Sequence, residues 1–147
     1  MKPRGIRADA DLIRRKISQA RNALARIVER LPSSPQALRQ DFDAQDVVYR
    51  NFQIVVQNCA DMAAHLIAEN GWEMPRSLAE GFDILAVHKV IPASLAKSLR
   101  NLAVLRNILV HDYSRVDLER AFPLLRSSRS LAPRFCGLLL ARVGEKK

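Results

Sequence analysis

Apolar positions recur at three- and four-residue spacing along almost the whole chain, with polar positions between them. That is the period of helices with one buried face. Leu12, Ile13, Ile17, Ala20, Leu24, Ile27, Val28 and Leu31 predict a first helix over about 9–31, and Pro32-Ser33-Ser34-Pro35 breaks it. A short helical piece follows over about 35–41. Val47, Val48, Phe52, Val55, Val56, Cys59, Met62, Ala63, Leu66 and Ile67 predict a long helix over about 43–70, closed at Asn70-Gly71 by a left-handed cap. Ser77 and Glu80 have capping-box spacing before a helix holding Phe82, Ile84, Leu85 and Val87. Pro92 opens the next helix, with Leu95, Leu99, Leu102, Leu105 and Leu109. A last helical region starts near Asp117 and meets Pro123 within its first turns, and Leu131 to Val143 predicts a separate short helix broken near Pro133 and Gly137. Strand signals and repeats are missing. Helices joined by short loops predict an all-α fold, an antiparallel helical bundle forming one domain over 1–147. The helix around Leu105 is apolar on more than one side, which predicts two packing surfaces: the bundle core and a second copy of the chain.

Charge adds a direction to this picture. The net charge is +9, and it is concentrated at the two ends. Residues 1–30 carry nine Lys/Arg against three acids, and residues 126–147 carry six against one; the middle of the chain is nearly neutral. Such a field favours a polyanion, most simply nucleic acid, although a solvated basic surface has the same composition. No run of apolar residues is long enough for a membrane span, and the start of the chain lacks a signal-peptide core, so a cytoplasmic location is expected. Cys59 and Cys136 are expected to be buried thiols; two cysteines make neither a disulfide framework nor a zinc site.

The chemistry is concentrated in Arg106-Asn107-Ile108-Leu109-Val110-His111-Asp112-Tyr113. Arginine supplies a permanently charged fork for phosphate oxygens, and histidine titrates near neutrality. At 100° per residue Arg106 falls inside the apolar stripe of its helix, about 140° from His111. A guanidinium there must pair with a group such as Asp61 or line a wet cleft. RNA carries its own nucleophile, the 2′-hydroxyl. Cleavage without metal or other cofactor needs only a proton carrier and a cation for the phosphorane charge. His111 and Arg106 fit those roles, and Asn107 can hold a phosphate oxygen or orient the imidazole. The expected products are a 2′,3′-cyclic phosphate and a 5′-hydroxyl. One histidine is a thin inventory for both acid and base, which a two-fold dimer would double.

The motif resembles the signature of HepT-like toxins, a branch of the HEPN superfamily: Arg, four residues, His, one residue, Tyr, usually with Asn after the Arg. Arg106, Asn107, His111 and Tyr113 all match. Gly81 to Leu85, Val90-Ile91-Pro92 and the stretch Asn58 to Ala63 are similar to the family's flanking segments, so the resemblance covers about 9–126. It implies a dimeric helical bundle acting as a metal-independent endoribonuclease toxin. It also implies a partner, a nucleotidyltransferase antitoxin of the MntA type that transfers AMP to Tyr113. Transfer RNA is one kind of substrate in the family, and no residue here selects it. The basic extension over 127–147 lies outside the resemblance and either extends RNA contact or packs and solvates.

Asp61 sits between apolar neighbours and either orients Arg106 or His111 across the bundle or is a half-exposed acid. His65 reads as a structural polar group, His88 as a surface residue, and Trp72 as a cover for the bundle end. The competing function is a non-catalytic HEPN module that binds nucleotide or RNA beside a nucleotidyltransferase. A third reading is a regulatory subunit of that enzyme without toxicity.

Overall fold

The computed structural model describes residues 5–144. Six α-helices follow one another: α1 (Ala10–Arg30), α2 (Pro35–Gln40), α3 (Phe42–Glu69), α4 (Leu78–Val87), α5 (Ala93–Asp112) and α6 (Leu118–Gly144), with a 3₁₀ turn over Tyr113–Arg115. This is the expected all-α bundle; among the described residues there is no strand. Side-chain oxygens of Asp9, Ser34, Asp41 and Ser77 accept from the N–H of the third residue of α1, α2, α3 and α4, satisfying donors each helix start leaves free. Glu80 returns toward the start of α4 as its spacing predicts, but it accepts from Arg76 N–H at 2.9 Å, one residue beyond the cap. Gly71 ends α3 at φ +66°, with Trp72 N–H donating to the Ile67 carbonyl at 3.0 Å, so the left-handed cap is present. Lys89 takes the same backbone region after α4 at φ 60°, where a side chain is strained.

α1 and α3 pack most extensively, running antiparallel: Asp9 meets His65 at one end and Lys16 meets Asp61 a turn or two in. α4 packs on α5, and α6 crosses α1, α3 and α5. One continuous core runs from Ile6 to Val143, with Phe52, Phe82, Phe135, Met62 and Leu99 among its fully buried side chains. His65 is structural as expected, its Nε2 accepting from Asp9 N–H at 2.8 Å. His88 departs from expectation. It is half-buried and stacks flat on Trp72, with ring centroids 4.0 Å apart, so the pair covers the bundle end together. Cys59 and Cys136 are both buried and free. Their mutual hydrogen bond, reinforced by burial, raises the Cys59 thiol well above its ordinary range.

The C-terminal third differs from the pattern reading. Instead of two pieces, α6 is one helix through both Pro123 and Pro133. An interior proline removes a hydrogen bond and crowds the carbonyl four residues back. Here the cost is offset by burial of Phe122, Leu125, Ala132, Phe135, Cys136 and Leu139 along one face, with Phe135 meeting Phe82 edge-on at 5.6 Å. The stretch beyond residue 126 therefore packs into the core. The ring of Pro133 itself is exposed. Pro133→Ala is expected to raise unfolding free energy by about 2 kcal/mol, and Phe135→Ala to lower it by about 3–5 kcal/mol. Urea unfolding measures both, and an unchanged midpoint in Pro133→Ala would mean that α6 is interrupted there.

Candidate active site

α5 has two apolar faces because its sequence places apolar residues on both sides. Leu95, Leu99, Leu102, Leu105 and Leu109 are buried in the core. Val104 and Ile108, four residues apart, stay 53% and 42% exposed. By helical geometry Arg106 lies on the core side, while His111 lies within about 60° of Val104 and Ile108. The arginine and the histidine of the motif therefore leave the helix in different directions. Among the described residues no hydrogen bond joins them.

Arg106 is half-buried and reaches across to α3. One terminal nitrogen, Nη2, donates to Gln57 Oε1 at 2.7 Å, and the other, Nη1, donates to Asn107 Oδ1 at 3.1 Å. Its Nε is buried with no hydrogen-bond partner among the described residues. Gln57 Nε2 in turn donates to Asp61 Oδ1 at 2.7 Å, and Lys16 Nζ donates to Asp61 Oδ2 at 2.9 Å. Asp61 does not touch Arg106 directly; a hydrogen bond through Gln57 lies between them, and the ion pair of Asp61 is with Lys16. Among the described residues no carboxylate pairs directly with Arg106. Its charge is held by two neutral amides and remains available to an anion.

These groups border an open cleft of about 360 Å³ between α1 and α3, lined also by Gln19, Arg50, Gln53 and Asn58. Lys16, Arg50 and Arg106 oppose the single acid Asp61 there, so the cleft is positively charged. His111 stands exposed in the last turn of α5. The helix stops one residue later because Asp112 turns its carboxylate onto the next turn. Asp112 Oδ1 accepts from Ser114 N–H at 3.1 Å and from the Ser114 hydroxyl. Tyr113 begins the 3₁₀ turn, and its side chain lies outside the described residues. Among the described residues no three His, Cys, Asp or Glu side chains converge as a metal site.

Lys16 and Gln57 were not singled out from sequence. Gln57 and Asp61 are four residues apart, so they share a face of α3, and that spacing was the available signal. Nothing in the sequence aligned Lys16 with them, since that depends on the α1–α3 register.

A family model described as Ribonuclease HepT-like matches residues 13–135, most of the chain and all of the site. This chain belongs to the HepT-like ribonucleases. It is 33% identical over 109 residues to the mRNA nuclease HepT of Shewanella oneidensis, covering 74% of this chain and 81% of that protein. A solved complex of a tri-AMPylated Shewanella oneidensis HEPN toxin with MNT antitoxin superimposes with TM-score 0.81 at 28% identity, covering 89% of this chain and 98% of that one. A toxin–antitoxin crystal structure with AMP-PNP gives TM-score 0.82 at 27% identity, with the same coverage of 89% and 98%. The helical bundle is thus a HEPN fold. Arg106, Asn107 and His111 of the HepT-like motif lie on its fifth helix and Tyr113 begins the turn that follows, and no helix among the described residues is long and apolar enough to cross a membrane. Arg106→Lys keeps the charge but loses the fork that reaches both amides. Its unfolding free energy is expected to fall by about 1 kcal/mol, measured by urea denaturation without RNA, and an unchanged value would mean that the two amide contacts contribute nothing to the fold.

Proposed function

We propose that this HepT-like ribonuclease is the toxin of a toxin–antitoxin pair, a cytoplasmic endoribonuclease that cuts RNA without a metal ion. The observation that carries the reading is Arg106, a guanidinium half-buried on α5 and held, among the described residues, by the amides of Gln57 and Asn107 alone. A charge kept in place but not neutralised suits an anionic transition state better than a structural ion pair does. The RNA 2′-hydroxyl attacks the adjacent phosphorus, Arg106 stabilises the phosphorane, and the bond to the 5′-oxygen breaks. The 2′-hydroxyl proton leaves to one base, and the 5′-oxygen receives a proton from one acid. The products are a 2′,3′-cyclic phosphate and a 5′-hydroxyl. His111 performs the proton transfers, Asn107 steadies the fork, and Asp61 supports it from α3.

Two copies of the chain complete the machinery. Val104 and Ile108 line an apolar groove of about 490 Å³ with Leu105, Val116, Pro123 and Leu124, on the side of α5 that also carries His111. Packing two such faces about a two-fold axis buries apolar surface and brings two histidines to one cleft, one as base and one as acid. Ile108→Asp is expected to give a monomer by sedimentation and to lose most cleavage; a cleavage-competent monomer would exclude the shared cleft.

Silencing is assigned to an MntA-type nucleotidyltransferase that places AMP on Tyr113. The solved complex of a tri-AMPylated HEPN toxin with MNT antitoxin supports this. So does the other tyrosine: Tyr49 is buried, and burial pushes its phenol up to about 12, leaving Tyr113 as the candidate acceptor. An added AMP would bring bulk and negative charge beside Arg106 and His111, in the place of substrate phosphate.

Purified protein incubated with total RNA in EDTA is expected to cleave it and to leave cyclic-phosphate ends, with activity lost in Arg106→Ala and His111→Ala. Intact RNA with retained binding would instead make the chain a non-catalytic module. Tyr113→Phe is expected to keep most cleavage and to accept no AMP from the partner enzyme; mass spectrometry placing AMP on another residue of the wild-type chain would overturn the assignment.

A further inference from the structure

Gln57 stands between Arg106 and Asp61 with both ends of its amide engaged. Arginine only donates and an ionised carboxylate only accepts, so just one orientation of the amide satisfies both neighbours. That orientation is the one present, with Oε1 toward Arg106 and Nε2 toward Asp61, each at 2.7 Å. Asp61 therefore fixes the amide, and the amide fixes the guanidinium. Lys16 occupies the second carboxylate oxygen at 2.9 Å, offsetting the negative charge beside a cleft that would receive phosphate. The relay ties α1, α3 and α5 together at a single line of contacts.

We infer that Gln57 is a positioning residue of the ribonuclease site, an amide spacer oriented by the Lys16–Asp61 pair that aims the Arg106 fork while leaving its charge intact. This rests on the reading of Arg106 as the phosphate-stabilising group. Of the five N–H donors of a guanidinium, Gln57 and Asn107 take one each and the Nε–H is buried. Among the described residues nothing takes the second N–H of either terminal nitrogen, which leaves one on each for phosphate oxygens. A carboxylate in the place of Gln57 would form a direct ion pair with Arg106 and compete with the substrate for it. An amide holds the same geometry without that competition.

The substitution Gln57→Glu separates geometry from charge. The introduced carboxylate is isosteric with the amide, but when ionised it pairs with Arg106 and repels Asp61. When protonated it reproduces the native pattern, with its carbonyl oxygen accepting from Arg106 and its O–H donating to Asp61. With the full-length protein and a defined single-stranded oligoribonucleotide, kcat is expected to fall at least about tenfold near neutral pH, with KM changed less, because a competing charge matters most where negative charge develops. The ratio of variant to wild-type kcat should recover as pH falls toward the ordinary carboxyl range of about 4–5. A general loss of structure would show no such recovery. Asp61→Asn is the second variant. It frees the amide to turn its NH₂ toward Arg106, and a loss of about tenfold with no acid recovery is expected. Lys16→Arg should retain activity that Lys16→Met loses.

Gln57→Glu matching the wild type at every pH overturns the inference, and so does full activity in Asp61→Asn. If Gln57→Glu fails to fold by circular dichroism, Asp61→Asn and the Lys16 pair decide. Full cleavage by Arg106→Ala would instead overturn the functional reading beneath it. Loss in Arg106→Ala alongside wild-type behaviour of the Gln57 and Asp61 variants would sink the spacer alone.

Discussion

The hydrogen bond from Arg106 to Gln57 joins α5 to α3 where the neighbouring positions of α5 are apolar and buried. A guanidinium in that setting loses much of its hydration, and the loss must be made up by donors finding acceptors. A carboxylate would be the strongest partner and would also cancel the charge. The bundle instead presents a neutral amide and moves the carboxylate one side chain away, where Lys16 balances it. The α1–α3 packing, the most extensive in the molecule, sets the distance between Lys16 and Asp61. The site therefore inherits its precision from the same helix pair that supplies much of the core.

α5 carries the other half of the arrangement. Its core side holds Arg106 against α3, while Val104, Ile108 and His111 lie toward solvent. Asp112 stops the helix immediately after the histidine by capping the turn at Ser114. The motif thus sits where the helix gives way to a short turn, with Arg106 anchored and His111 exposed. α5 thus buries one face and leaves an apolar stripe at Val104 and Ile108 on the other, the surface on which the proposed second copy would pack.

Much of this was legible from residue order. The caps at Ser77 and Gly71 announced helix ends through local chemistry, and Leu95 to Leu109 announced a buried face through spacing. Arg106, Asn107 and His111 stood out because a charged fork and a titrating ring are unusual beside such a stripe. The exception is α6, which the pattern divides into two pieces with a break near Pro133 and Gly137 and which is one helix. Proline acts locally, but the burial that outweighs it, including the Phe82–Phe135 contact, is between residues far apart in the chain. His88 is only partly exposed for a similar reason: nothing near it in sequence foretells a stack on Trp72.

Sequence by itself determined the helical class, the principal helix boundaries, the HepT-like motif and the residue types able to handle a phosphodiester, because these follow from period, capping and side-chain chemistry within a few residues. Tertiary structure alone decided that Asp61 is hydrogen-bonded to Arg106 through Gln57, that Lys16 from α1 completes the line, and that α6 continues through two prolines. Each of those depends on the register and packing of helices distant in sequence, and the free energy of such contacts exists only once the helices have met.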